Sequence, residues 1–298
     1  MSEIAVLVNR RAGSGRGELV WADLRTRDPR LADAHVVCAV DTATARAELG
    51  RVLDSPIELV IAIGGDGTAH LAGNVILERG LGSQVALGLI PTGTGSDLSR
   101  ALGIPRNPAA ALKRALSAGR KAIDVLRIET DDGRREFVLN VASAGISGLV
   151  DEMVNALPRR SALSYLGATL GAVLRYRPAQ CRVTVDDEVW HEGGLLLIAV
   201  ANSDTFGNGM RIAPGAKIDD GAADVVLVRQ VPRWQLPIRL PQVYLGTHVR
   251  ARFVRTALAR TVRLEPLAPM PPFDLDGEMF DPGPATITIQ PGALLVPG

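Results

Sequence analysis

Lysine is scarce in this sequence. Lys113, Lys121 and Lys217 are the only three, so arginine carries almost all of the positive charge, which reads as a compositional bias. No lysine stands near the glycine-rich loops of the first 100 residues and no GxxxxGK[ST] occurs, which excludes a P-loop. Cysteine is also rare: Cys38 and Cys181 form no CxxC or zinc-ligand spacing, and two thiols in apolar, strand-like surroundings read as buried and reduced. His35, His70, His191 and His248 are scattered without an HExxH pattern, and no GxSxG elbow supplies a hydrolase nucleophile. Charge of one sign is missing too. A formal net charge of +1 gives no basic field for nucleic acid. No apolar run is long enough to cross a bilayer, which needs about 20 residues; the longest helical candidate, SALSYLGATLGAVL at residues 161–174, falls short. The N-terminus enters a strand directly, EIAVLVNR, without a leader-like basic and apolar pair. A soluble, cytoplasmic protein is expected, with peripheral membrane contact left open.

What is present is patterning. Hydrophobic residues make up 47% and charged residues 22% of the 298, enough for one large or two medium domains. Up to about residue 123, strand-like and helix-like segments alternate, which predicts a doubly wound α/β domain. From residue 124 the texture becomes β-rich, in segments such as EFVLNVASAG, CRVTVDDEVW and GLLLIAVAN, as in an antiparallel sandwich or open barrel. Helical interruptions are expected at residues 146–156, 161–174 and 234–245. The expected domains are therefore 1–123 and 124–298, with the last strand free to return to the first domain.

Three loops in the first half share a character: NRRAGSGRG (9–17) after the first strand, GGDGT (64–68) after the third, and PTGTGSDLSR (91–100) after the fourth. Loops at the C-terminal ends of parallel strands converge on one edge, where backbone N–H groups and helix dipoles hold anions. Glycines let a phosphate approach the backbone, Asp66 can orient a metal or ribose, and Thr68 can donate its hydroxyl. The plainer alternative is a set of tight turns with Asp66 as a helix N-cap. GSGRG comes near a dinucleotide fingerprint, but Glu18 replaces its third glycine.

GGDGT followed by PTGTGSDLSR and ALGIP resembles the catalytic domain of bacterial diacylglycerol kinases and the related sphingosine and ceramide kinases. ANSDTFGNGMRIAPGAKIDDGAADVVLV (201–228) is similar to the second-domain signature of the bacterial branch, and FDLDGE (273–278) to its C-terminal catalytic segment. The resemblance covers nearly the whole chain. It implies an ATP- and Mg²⁺-dependent lipid kinase, most plausibly converting diacylglycerol to phosphatidic acid. It implies ATP contacts from Asn9, Arg10, Arg11, Ala12, Gly13, Gly64, Gly65, Asp66, Gly67, Thr68 and Thr94, with Thr42 a weaker match. It places the catalytic base at Asp276. A structural Mg²⁺ would be held by Asp220 with the carbonyls of Lys217 and Ala222, and Glu278 would support it through water. Ser96 departs from the family's usual asparagine, while Asp97 and Arg100 keep the pattern.

Phosphoryl transfer needs its phosphates held, its acceptor hydroxyl placed and a base for the proton. Phe273 and Leu275 alternate with Asp274 and Asp276, which puts both acids opposite the apolar pair. Asp276-Gly277 is equally a type I′ hairpin turn, and Asp219-Asp220-Gly221 equally a solvated turn. Residues 161–174 and APMPPF (268–273) either line an apolar lipid cleft or, for the former, form a core helix. A NAD kinase is the enzyme alternative, a silent nucleotide-binding regulator the non-enzymatic one, and a homodimer is possible.

Overall fold

β1 (Ile4–Val8) starts the chain as an almost wholly buried apolar strand, and its neighbours follow the same rule. The computed structural model describes residues 3–10, 15–39, 41–93, 96–117, 119–155, 167, 171, 176 and 178–298. By internal contacts the chain forms two compact units, residues 1–124 with 292–298, and residues 125–291.

In the first unit, β2 (His35–Val37) and β3 (Leu59–Gly64) flank β1 in parallel, and β4 (Ala86–Pro91) lies parallel beyond β3. The final stretch of β15 (Ala285–Pro297) adds a parallel pair at Leu295 against Ala86. β3 is buried along its whole length, which is why LVIAIG reads as an unbroken apolar run. Helices α1 (Arg16–Arg27), α2 (Thr42–Val52), α3 (Asp66–Glu78), the short α4 (Asp97–Ala101) and α5 (Pro108–Ser117) fill the connections. The chain steps from β1 to β2 on one side, then from β2 to β3 on the other. Right-handed crossovers therefore put α1 on one face and α2 and α3 on the other. The helices pair accordingly, α2 with α3 and α1 with α5.

The second unit is antiparallel. β5 (Arg120–Thr130) enters it and pairs with β6 (Arg135–Val138). β7 (Val141–Gly145), β8 (Ala179–Val185), β9 (Glu188–Ala201), β10 (Ala223–Arg229), β11 (Val254–Ala259), β12 (Thr261–Pro266), β13 (Phe273–Leu275) and β14 (Glu278–Phe280) complete it with β15. β9 is the organiser: its first half pairs with β8, its second half with β7 and β10. Alternate residues of that second half enter different cores. Ile198 and Val200 pack with Val225 and Leu227, whereas Leu197, Ala199 and Ala201 pack with Val226, Val228 and Ile212. Burial on both faces explains the continuous run GLLLIAVA. Helix α6 (Ile146–Asn155) follows β7, and α7 (Leu236–Tyr244) lies between β10 and β11. The helix expected at residues 161–174 lies outside the described residues except for 167 and 171. Cys181 is buried as expected, but Cys38 is only half-buried, because its thiol faces the Glu18 carboxylate at the edge of the first unit.

One segment differs from its expectation. EFVLNVASAG reads as a single strand, yet it is broken between β6 and β7. The backbone N–H groups of residues 139–141 leave the ladder because a carboxylate from elsewhere takes them, as described below.

Candidate functional site

The strand order β2-β1-β3-β4 reverses direction between β1 and β3, the point where open α/β sheets leave a crevice at their C-terminal edge. The loops that meet there are laced together. Asn9 donates its backbone N–H to Ile63 O (3.1 Å) and its side-chain amide to Thr68 Oγ1 (3.1 Å). Thr92 N–H donates to Gly64 O at 2.9 Å. Asp66 reaches into the third loop, where its Oδ2 accepts from Asp97 N–H (3.1 Å) and its Oδ1 from Leu98 N–H (3.2 Å).

This geometry divides the glycines by role. A Cβ on Gly64 would sit 2.1 Å from Thr68 Oγ1, so the first glycine of GGDGT is required by the fold itself. Gly65 caps α3 with an extended backbone (φ −107°) and provides no side-chain hydrogen bond. Gly15, in the left-handed region at φ 92°, likewise begins α1 without a side-chain cap. Two helices thus open on this edge with first-turn N–H groups that no side chain caps, the arrangement that receives an anion. Asp66 is not the N-cap of its own helix. It caps α4 instead, where Ser96 makes no capping hydrogen bond.

Arg10 is half-exposed and paired with Glu18. Thr42 sits exposed at the first turn of α2, whose N-cap is Asp41, accepting from Thr44 N–H at 2.8 Å. Asp97 is buried and bound to Arg100. Arg11, Ala12, Gly13 and Thr94 lie outside the described residues.

In the second unit, Asp276 stands at the corner of the β13–β14 hairpin, where Leu275 pairs with Glu278. Its φ of 57° and that of Gly277, 90°, are the positive pair of a type I′ turn. Asp276 is therefore past the end of the strand and not on its alternating face. Its carboxylate is tightly held: Oδ2 accepts from Leu139 N–H (2.8 Å), and Oδ1 from Asn140 N–H (2.9 Å) and Val141 N–H (3.0 Å). Those bonds break the β6–β7 strand. Asp274 does lie opposite Phe273 and Leu275, but it is buried, accepting from Gly277 N–H (2.8 Å) and Ser143 Oγ (3.0 Å); Ser143 shares a 2.7 Å bond with Ser147.

The sequence reading missed this carboxylate–serine chain, and also what the ANSDT segment does. Asn202 Nδ2 donates to Leu139 O (2.9 Å), Asn140 Nδ2 donates to Thr205 O (2.8 Å), and Ser203 bonds Asn140 Oδ1. The segment is a buried polar clamp on the residues that hold Asp276. Polar residues directly after the doubly buried run GLLLIAVA were its only signal.

Lys217 and Asp220 are exposed in the turn before β10, Ala222 is half-buried, and Asp220 Oδ1 accepts from Ala222 N–H at 3.2 Å. Burial, with the Asp220 carboxylate adding to it, pushes the Asp224 carboxyl up to about 6. A cation at Asp220 would relieve that repulsion, and carboxylate and carbonyl oxygens suit Mg²⁺. Glu278 is exposed on β14. Among the described residues no three acidic, histidine or cysteine side chains gather as a metal group, so such a site rests on one carboxylate and backbone oxygens.

The same unit contains an apolar cavity of about 130 Å³. Ile146 and Val150 of α6, Leu240 and Val243 of α7, and Phe206 and Met210 are among the residues that line it. Its volume suits part of a hydrocarbon chain and not a whole ligand.

Comparison with known proteins agrees with this anatomy. Residues 3–128 match the diacylglycerol kinase catalytic domain, and residues 140–297 match the YegS C-terminal NAD kinase beta sandwich-like domain. The chain is 31% identical over 258 residues to a diacylglycerol kinase of Mycobacterium tuberculosis (strain ATCC 25618 / H37Rv), covering 86% of this chain and 82% of that protein. In fold it is similar to the crystal structure of a diacylglycerol kinase from Bacillus anthracis str. Sterne, with a TM-score of 0.72, 20% identity and coverage of 99% and 96% of the two chains. With both halves of the chain matched in order, the chain belongs to the diacylglycerol kinase family of lipid kinases.

Proposed function

We propose that this chain transfers the γ-phosphate of ATP to the hydroxyl of a membrane lipid, diacylglycerol first among the candidates. The observation that carries the donor half is the pair of glycine-started, side-chain-uncapped helices at the β1/β3 switch point. In this reading Asn9, Arg10, Arg11, Ala12, Gly13 and Gly64 through Thr68 hold the nucleotide, Thr94 and Thr42 contribute from neighbouring loops, and Asp66 fixes the third loop. Asp276 takes the proton of the acceptor hydroxyl. Three backbone N–H bonds aim its carboxylate before any substrate arrives. Asp220, with the carbonyls of Lys217 and Ala222, would hold Mg²⁺, which supplies fixed positive charge against Asp220 and Asp224. The apolar cavity and the name of the mycobacterial relative favour a lipid acceptor, and contact with a membrane surface follows from where such an acceptor resides.

The test is incubation of the purified chain with γ-labelled ATP and separate acceptors: diacylglycerol, monoacylglycerol, sphingosine, ceramide and NAD. Label is expected in phosphatidic acid. Label in NADP would transfer the assignment to NAD kinase, and no label in any acceptor would leave a nucleotide-binding protein without transferase activity.

A further inference from the structure

Helix α7 is apolar on two sides. Leu236, Leu240 and Val243 face inward onto the cavity. Ile238 and Pro241 of the helix, Trp234 in the 3-10 turn just before it (Arg233–Gln235) and Leu245 just after it are all exposed. Trp234 is 70%, Ile238 68% and Leu245 69% exposed, and Tyr244 at the helix end is 43% exposed. A helix of a soluble protein normally turns a polar face to water. This one turns a second apolar stripe outward.

The charge around it is equally one-sided. Residues 225–264 contain eight arginines and not one Asp or Glu, in a chain whose net charge is +1. Arg229, Arg250 and Arg252 are exposed, and no ion pair among the described residues involves them. Arg239 lies 4.3 Å over the ring of Phe253, so its stem covers the inner seam of the helix. Aromatic and aliphatic side chains carried on an arginine-rich stretch of chain that contains no acid match the boundary between acyl chains and anionic headgroups. A protein partner burying the same stripe would need its own acids to meet the arginines, whereas an anionic leaflet supplies that charge everywhere.

We infer that residues 233–252 dock the enzyme on an anionic bilayer, with Trp234, Ile238 and Leu245 entering the acyl boundary and Arg250 and Arg252 meeting the headgroups. The inference rests on the lipid-acceptor reading and adds to it the docking element and the charge of the surface. The cavity under the inner stripe then lies directly behind the docked helix.

Sedimentation of the full chain with vesicles tests it. One set is phosphatidylcholine alone, the other phosphatidylcholine with phosphatidylglycerol. The wild type should bind the anionic set and release it at high salt. Neutralising two headgroup contacts at about 1 kcal/mol each, Arg250→Gln with Arg252→Gln, should weaken binding roughly thirtyfold. Trp234→Ser with Ile238→Ser and Leu245→Ser should abolish it. Each variant is checked for a wild-type melting curve and for wild-type turnover of a short-chain, water-dispersed diacylglycerol. Undiminished vesicle binding by both variants, equal binding to both vesicle sets, or a dimer that dissociates in the triple variant without any vesicle binding would overturn the inference. Vesicle binding without phosphorylation of any lipid would leave the docking surface standing and refute the kinase reading.

Discussion

Two adjacent glycines in GGDGT have different reasons to be glycine, and their substitutions separate fold from function. Gly64→Ala drives a Cβ into Thr68, which is itself bonded to Asn9. Overpacking of this kind costs about 1–3 kcal/mol, so the melting temperature should fall with or without nucleotide. Gly65 has an ordinary extended backbone, so Gly65→Val should fold normally and lose ATP binding. Calorimetric melting and ATP titration of the two variants check this contrast; a stable Gly64→Ala protein would show that Thr68 has room to move. His248 provides a pH signature. Its Nε2 lies 3.1 Å from Ile212 O, and burial pulls its pKa below the ordinary value. The unfolded chain takes up that proton near pH 6.5, about the unperturbed value, while the folded chain resists it until lower pH. Stability from this group is thus present above about 6.5 and lost as pH falls toward the depressed folded value. His248→Gln should flatten the loss of stability between pH 7 and 5; parallel wild-type and variant curves would refute the assignment.

At the scale of elements, the alternation of strands and helices was readable because a parallel sheet leaves long apolar runs separated by helical periodicity. The glycine loops were readable because each ends such a run. Less visible was the lacing between them. Nothing in the spacing of Asp66 says that it serves α4 and not α3, since the 31-residue separation is bridged only in three dimensions. Asp66→Ala should therefore cost a helix cap of about 0.5–2 kcal/mol and loosen the third loop, lowering ATP affinity more than a simple surface change. Hydrogen exchange at residues 97–100 would register it; unchanged protection there would mean that α4 holds itself. The hairpin at Asp276 offers a similar lesson. Alternation placed Asp274 and Asp276 on one face, but the positive φ of a turn residue is set by the turn and not by the strand. Asp274, on the strand itself, is buried and bonded instead. Asp274→Asn disturbs the buried Ser143–Ser147 chain and should lower stability by about 1–3 kcal/mol if a buried partner is left unpaired, seen as a lower melting temperature.

Across the whole molecule, the patterning pointed to an α/β half followed by a β-rich half, because strands alternating with helical periodicity look different from strands joined by polar turns. What composition could not reveal was the clamp of ANSDT on residues 139–141, a long-range polar contact made by residue types that usually mark loops. The proposed metal has a whole-chain signature as well. A ligand bound only by the folded state stabilises it by about 2.7 kcal/mol at a hundredfold excess over its Kd, so Mg²⁺ should raise the melting temperature of the wild type and much less that of Asp220→Ala. Equal responses would reduce Asp220 to a turn residue. The most direct measurement of the central claim is the single-turnover rate of γ-phosphate transfer from ATP to a short-chain diacylglycerol, for the wild type, Gly65→Val and Asp276→Asn. The account predicts transfer by the wild type and none by Gly65→Val. Asp276→Asn should bind ATP normally and transfer about 10² to 10⁴ times more slowly. Wild-type rates in either variant, or no transfer by the wild type, would contradict it.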